Sequence, residues 1–208
     1  MTTSIPPSWT TGRSPNGFAA LPAGRAGRIG GRLMRRMNGG QQRELLDLLG
    51  DAAAGDVLEV GHGPGVLLGL LVRRSAVRRI VGVDPSQDMR WLAVRALAWE
   101  IAAGRVEIRP GDAAATGLPD GAVDLAVSVN NIAIWPDLDA GVAELRRVVR
   151  PGGRLLLSWH GGTEPARAAR RLLLPEEQQA RIEDAVRARF AEVRRVGTRR
   201  CTVVDARG

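Results

Sequence analysis

The 208-residue chain has no lysine, no tyrosine and a single cysteine, and its aromatic residues are five Trp and two Phe. Cys201, alone, can form no internal disulfide, which points to a reducing cytoplasm. Apolar runs such as Val66–Leu68 and Leu70–Val72 last a few residues, far short of the roughly 20 that span a bilayer. Met1–Pro7 has neither a basic start nor an apolar run, so no secretory signal is expected. The net charge of +8 comes entirely from arginine. A nucleic-acid surface would interleave its cations with stacking aromatics, which are scarce here. With abundant Ala, Gly and Val, the bias fits a GC-rich genome better than a nucleic-acid partner.

What remains is an ordinary globular composition, 44% apolar, of a size suited to one compact domain. Residues 1–24 are rich in Pro, Gly, Ser and Thr without periodicity and read as a mobile arm. Arg25–Met37 shows helical spacing of Ile29, Leu33, Met34 and Met37 among arginines, with Asn38-Gly39-Gly40 expected to end that helix. A second helix is expected over Gln41–Leu49. From residue 56 onward short apolar strands alternate with helices. Strands are expected at Val57–Val60, Arg79–Val83, Val106–Arg109, Val123–Val129 and Leu155–Trp159. The helices between them cover Val66–Arg74, Gln87–Ala102 and Leu138–Val149. A helix at Ala180–Arg189 and two antiparallel strands, Glu192–Val196 and Thr202–Val204, close the chain. The pattern predicts an α/β fold of the Rossmann-like, doubly wound type, with a mostly parallel sheet covered by helices on both faces.

The sharpest segment is Glu59-Val60-Gly61-His62-Gly63-Pro64-Gly65, where a strand runs into three alternate glycines and then a helix. Glycine serves there because the backbone must turn tightly and let a ligand lie against it. The dinucleotide fingerprint wants G-x-G-x-x-G/A, and its sixth position here is Val66. Three further motifs follow in order. Val81-Gly82-Val83-Asp84 ends the second strand in a carboxylate. Gly111-Asp112-Ala113 leads through Leu118-Pro119-Asp120 into the fourth strand. Leu145 to Arg154 reads helix, Pro-Gly-Gly turn, strand. Gly61, Asp84, Asp112 and Asn130 thus fall at the C-terminal edges of four strands, where ligands bind in open α/β sheets.

In this order the motifs resemble the class I S-adenosylmethionine-dependent methyltransferases, especially small bacterial enzymes acting on metabolites. The resemblance spans residues 56–160. It implies a seven-stranded sheet with its last strand antiparallel, S-adenosyl-L-methionine as cofactor and S-adenosyl-L-homocysteine as product. It also implies a cofactor site of Glu59, Gly61, His62, Gly63, Gly65, Asp84, Pro85, Met89, Asp112, Ala113 and Asn130. In the family, the residue at Asp84 accepts from the ribose hydroxyls and the one at Asp112 faces the adenine amino group. The other readings are a helix N-cap for Asp84, with Ser86 able to cap instead, and a turn residue for Asp112.

Candidates for the chemistry are His160, Asn131 and Trp135. His160 follows the fifth strand and could accept a proton, or be a solvated loop residue. Asn131 stands where methyl transfer occurs in this fold, and Trp135 could line that place or simply pack. The stretch Val129–Trp135 lacks the N-P-P-Y pattern of nucleic-acid amino methylation, and also the His or Tyr of many metabolite enzymes. No metal site is expected. The partner is a small-molecule acceptor, with the oligomeric state open. Residues 1–45 are read as arm and lid helices and 46–208 as the methyltransferase domain; little room for a cap between Gly161 and Pro175 assigns substrate closure to the N-terminal part. Two other readings remain: a membrane-surface phospholipid N-methyltransferase, suggested by the basic segment 25–37, and a cofactor-binding protein without methyl transfer.

Overall fold

A computed structural model describes residues 5–15, 24, 39–50, 54–74 and 76–208. The expected helix Arg25–Met37 lies outside these. Helix α1 covers residues 39–49. Gly39 and Gly40 are themselves helical, and neither has the positive φ that a left-handed stop requires. Positions 45 and 46, where the lid and the domain were divided, sit within this helix. Its Leu45, Leu46 and Leu49 are buried in the same apolar cluster as Val57 and Leu67.

The remaining elements, in order, are β1 (Gly55–Val60), α2 (Val66–Leu71), β2 (Val77–Val83), α3 (Gln87–Ala96), α4 (Ala98–Ala102), β3 (Val106–Arg109), β4 (Val123–Val129), α5 (Leu138–Val148), β5 (Val149–His160), α6 (Glu176–Arg187), β6 (Glu192–Gly197) and β7 (Cys201–Arg207). Short 3₁₀ turns occupy Ile132–Ile134 and Arg167–Leu172. The seven strands form one sheet in the order β3-β2-β1-β4-β5-β7-β6, with β7 running against both its neighbours and the other pairings parallel. This is the doubly wound, mostly parallel sheet with a reversed last strand that the motif order implies.

Side chains alternate across a strand, so each strand feeds two cores. Leu58, Val60, Val81, Val83 and Leu155 pack under α5 and α6. Val57, Ile80, Leu125, Val127 and Leu156 pack under α1 and α2. Glu59 alternates onto the second of these faces, which explains how a carboxylate comes to be buried. The expected helix Gln87–Ala102 is broken at Leu97, which leaves helical angles (φ −120°, ψ 26°). Its buried side chain turns inward against Gly65 and Gly69. The fifth strand begins earlier than Leu155, because Val149 already pairs with Val123 before the Pro-Gly-Gly irregularity.

Residues 5–15, part of the stretch read as a mobile arm, are docked. Trp9 Nε1–H donates to the Ile132 carbonyl at 2.7 Å and its backbone N–H to that of Trp135 at 3.0 Å. Thr10 Oγ1 donates to the Ala133 carbonyl, and Gln178 Nε2 to that of Thr10. The strap uses up backbone acceptors of the 3₁₀ turn, which hydrophobic periodicity cannot reveal.

Candidate functional site

At the C-terminal edge of β1, Gly61 turns with φ +67°, and a Cβ there would fall 2.1 Å from Asn131 Nδ2. That amide nitrogen donates to the carbonyls of Val60 (2.9 Å) and Gly61 (3.3 Å). Asn131 Oδ1 accepts from Ser128 Oγ at 2.6 Å and Trp135 Nε1 at 2.8 Å. The side chain proposed for chemistry is thus committed to clamping the glycine loop and fixing the indole. Trp135 is buried, lines the cavity and packs into the core under α5.

Gly63, at φ +53°, has nothing within 4 Å of where a Cβ would stand, so the loop backbone is open there. Its N–H donates to Asp84 Oδ2 at 2.8 Å, while Ser86 N–H donates to Asp84 Oδ1 at 2.8 Å. Asp84 is buried, and burial pushes its pKa up against the opposing pull of His62, these amide donors and Arg90. The cap of α3 falls to Ser86, which accepts from Met89 N–H, leaving Asp84 free of that duty. Pro85 and the buried Met89 line the cavity beside it. Asp112 makes an Asx turn, its Oδ1 accepting from the amides of Ala114 and Ala115. Asp112 and Ala113 also line the cavity.

Beneath the loop, His62 is 3% exposed and packs over Gly82, with Cδ2 3.0 Å from where a Cβ there would stand. Its Nδ1 lies 2.7 Å from the Gly63 carbonyl, which can only accept, so the proton sits on Nδ1. Burial lowers its pKa and keeps the ring neutral. Nε2 is then a bare acceptor, buried without a partner among the described residues. Glu59 Oε2 is likewise buried and unpartnered among them. Burial, followed by the nearby charge of Asp84, raises the Glu59 pKa well above its ordinary value.

These residues line one cavity together with Ile5, Pro6, Gln42, Asn130, Ile134 and Pro136. Gly65 does not line it; its place is the turn into α2, at φ +78°. Among the described residues, those that line the cavity include three carboxylates and no arginine. Asn130 ends β4 with φ +59°, in the left-handed region that Asn enters more readily than most residues. His160 stands outside the lining. Its Nδ1 is 2.8 Å from Gln41 Nε2, and burial lowers its pKa. Ile5, Pro6, Gln41 and Gln42 were not singled out from the sequence. The glutamines did leave a signal, since two adjacent amides precede leucines that are buried, and both are themselves buried.

Residues 58–157 match the family described as "Methyltransferase domain". The chain is 34% identical over 148 residues to the nocamycin O-methyltransferase of Saccharothrix syringae, covering 69% of this chain and 50% of that protein. It is 29% identical over 130 residues to an uncharacterized methyltransferase of Bacillus subtilis, covering 62% and 70%. A SAM-dependent methyltransferase from Aquifex aeolicus superposes with a TM-score of 0.65 at 21% identity, covering 80% of this chain and 88% of that one. The chain spans about half the length of most of the curated relatives it matches. Motif order, strand order and these likenesses agree: over residues 58–157 the chain carries the methyltransferase domain of the class I S-adenosylmethionine-dependent methyltransferases.

Proposed function

We propose that this chain transfers a methyl group from S-adenosylmethionine to an oxygen, nitrogen or carbon nucleophile of a small molecule. The observation that most supports this is the charge of the cavity. In a chain with 30 basic residues, its lining among the described residues has Glu59, Asp84 and Asp112 and no arginine. A nucleoside bearing sulfonium and ammonium groups and no phosphate suits such a lining, whereas a pyrophosphate would meet carboxylates.

The residues present fit that cofactor. Asp84 keeps lone pairs beyond the two amide bonds it accepts, since a carboxylate has about four acceptor sites, and would take the ribose hydroxyls. Asp112 and Ala113 would hold the adenine, with Pro85 and Met89 against the nucleoside. The open backbone of Gly61–Gly65 and the unpartnered Glu59 Oε2 would take the methionine end. When bound, the cofactor supplies a methyl group already activated as a sulfonium. The protein's task is then alignment, which can lower a barrier by several kcal/mol without a strong base. Asn131 and Trp135 serve by fixing one wall. His160 serves by position, its Nδ1 lone pair being taken by Gln41. The docked strap 5–15 supports closure of the acceptor side by the N-terminal region.

The chain's single cysteine is consistent with a cytoplasmic place. Among the described residues no helix is long and apolar enough to cross a membrane. The phospholipid reading rested on residues 25–37, outside the described ones. Isothermal titration with S-adenosylmethionine and S-adenosylhomocysteine tests the proposal. Micromolar binding that Asp84→Ala weakens at least about tenfold is expected. Well-folded wild type that binds neither ligand refutes it. Transfer of a labelled methyl group to a broad acceptor panel then separates an enzyme from a protein that only binds the cofactor.

A further inference from the structure

Two residues of the lining, Asn130 and Gln42, each carry a buried side-chain carbonyl oxygen, Oδ1 and Oε1, that has no hydrogen-bond partner among the described residues. A buried amide oxygen left in this state is destabilising, so each calls for a donor.

The orientation of Asn130 is fixed by a chain of bonds that starts outside the cavity. The Arg200 carbonyl can only accept, so the Gln41 atom facing it at 3.1 Å must be Nε2. The same Nε2 lies 2.8 Å from His160 Nδ1, which therefore accepts. Gln41 Oε1 is then left to accept from Asn130 Nδ2 at 2.8 Å. With its nitrogen committed to Gln41, Asn130 can offer only its oxygen elsewhere. The Arg200 carbonyl thus dictates, through one glutamine, that the end of β4 presents an acceptor and not a donor. Asn130 holds this pose with φ +59°. The same lining holds the apolar residues Ile5, Pro6, Ile134 and Trp135.

We infer that Asn130 Oδ1 and Gln42 Oε1 receive hydrogen-bond donors of the methyl acceptor, which is therefore a neutral or cationic molecule carrying an O–H or N–H group on an apolar body, not a carboxylate or a phosphate. This rests on the methyltransferase reading above. An anionic acceptor would place its oxygens against two carbonyl oxygens in a lining whose charged groups are carboxylates. A site built to take a donor discriminates strongly, because the wrong ligand leaves its buried acceptors unpaired.

The test uses the full chain saturated with S-adenosylhomocysteine and four probes sharing one ring system: 2-naphthol, 2-naphthylamine, 2-naphthoate and 2-naphthyl phosphate. Titration is expected to show naphthol or naphthylamine binding at least about tenfold tighter than either anion. Asn130→Gly keeps the left-handed backbone and removes the amide; Gln42→Met keeps the length of the side chain. Each is expected to weaken the neutral probe about five- to tenfold, with affinity for S-adenosylhomocysteine changed less than about twofold in Gln42→Met, whose residue has no place in the cofactor site. Three results overturn the inference: an anion bound as tightly as naphthol, no probe bound by the loaded protein, or Gln42→Met losing S-adenosylhomocysteine affinity in step with probe affinity. Failure of wild type to bind S-adenosylhomocysteine at all is distinguishable, since it removes the methyltransferase reading and this inference with it.

Discussion

Asp84 Oδ2 accepts from the Gly63 N–H at 2.8 Å, so the carboxylate at the end of β2 holds in place the loop that follows β1. Asp84→Asn keeps one oxygen for this bond but removes the charge and turns its amide nitrogen towards the Ser86 N–H, which loses its acceptor. One unpaired buried group costs about 1–3 kcal/mol, so melting temperature is expected to fall by roughly 2–12 °C for a chain of this size. Affinity for S-adenosylhomocysteine should fall about tenfold or more, because a charged acceptor contributes roughly twice what a neutral one does. Calorimetry and titration on the same sample separate the two effects. A fall in melting temperature with affinity intact would make Asp84 a loop tether only.

The two loop glycines should behave differently. Gly61→Ala places a methyl group 2.1 Å from Asn131 Nδ2 at a left-handed φ. Something must move, and what moves is the clamp on Val60 and Gly61. Loss of several kcal/mol is expected, seen as a large drop in melting temperature or failure to fold. Gly63→Ala meets nothing within 4 Å, so it costs only the left-handed backbone, about 1–2 kcal/mol. The methyl group does, however, project from the open backbone where the cofactor is to lie. A folded Gly63→Ala protein with weakened S-adenosylmethionine binding is the expected result; unchanged affinity would remove the loop from the cofactor site.

The sheet and the loop were legible because they depend on local pattern. Val123–Val129 is nearly all apolar since both of its faces are covered, and Gly61 is glycine because its φ is positive. Glu59 could be read as a strand-end carboxylate, but its burial depends on which face it alternates to. What was not legible depends on distant partners. Residues 5–15 have the composition of a loose arm, and only the carbonyls of Ile132, Ala133 and Trp135 make them a strap. Gly39-Gly40 reads like a helix stop, yet both glycines are helical, and α1 carries Gln41 to Arg200 and His160. His160 reads as a proton acceptor or a solvated loop residue; it closes β5, and the partner that occupies its Nδ1 lies 119 residues away.

Asn131→Ala tests the clamp directly. The substitution leaves Trp135 Nε1 and Ser128 Oγ without their acceptor and the Val60 carbonyl without this donor. Unpaired buried groups cost about 1–3 kcal/mol each, and partial relaxation brings the expected total to about 2–4 kcal/mol. Melting temperature should fall by roughly 4–16 °C. Asn131→Asp should be no better, since an oxygen would then face the carbonyls that the amide nitrogen now serves. If Asn131→Asp matched wild type in stability, the bonds to Val60 and Gly61 would carry no weight.

Glu59 gives the pH dependence its sign. Its pKa in the folded protein is raised well above the ordinary 4.5, first by burial and then by Asp84. Between 4.5 and that raised value, the folded state holds a proton that the unfolded state has released. Stability of the ligand-free protein therefore falls as pH rises through this window. His62 and His160 act in the opposite sense. Burial lowers both pKa values below 6.5, so their contribution is full above 6.5 and is lost as pH drops. Comparing wild type with Glu59→Gln cancels the histidines. The variant should gain on wild type as pH rises from 5 to 8, read as the difference in melting temperature. A cationic ligand favours the ionised carboxylate, so S-adenosylmethionine binding should release a proton from wild type. The heat of binding would then depend on the ionisation enthalpy of the buffer, and Glu59→Gln should lose that dependence along with part of its affinity. Equal buffer dependence in the two proteins would show that Glu59 does not meet the charge of the ligand.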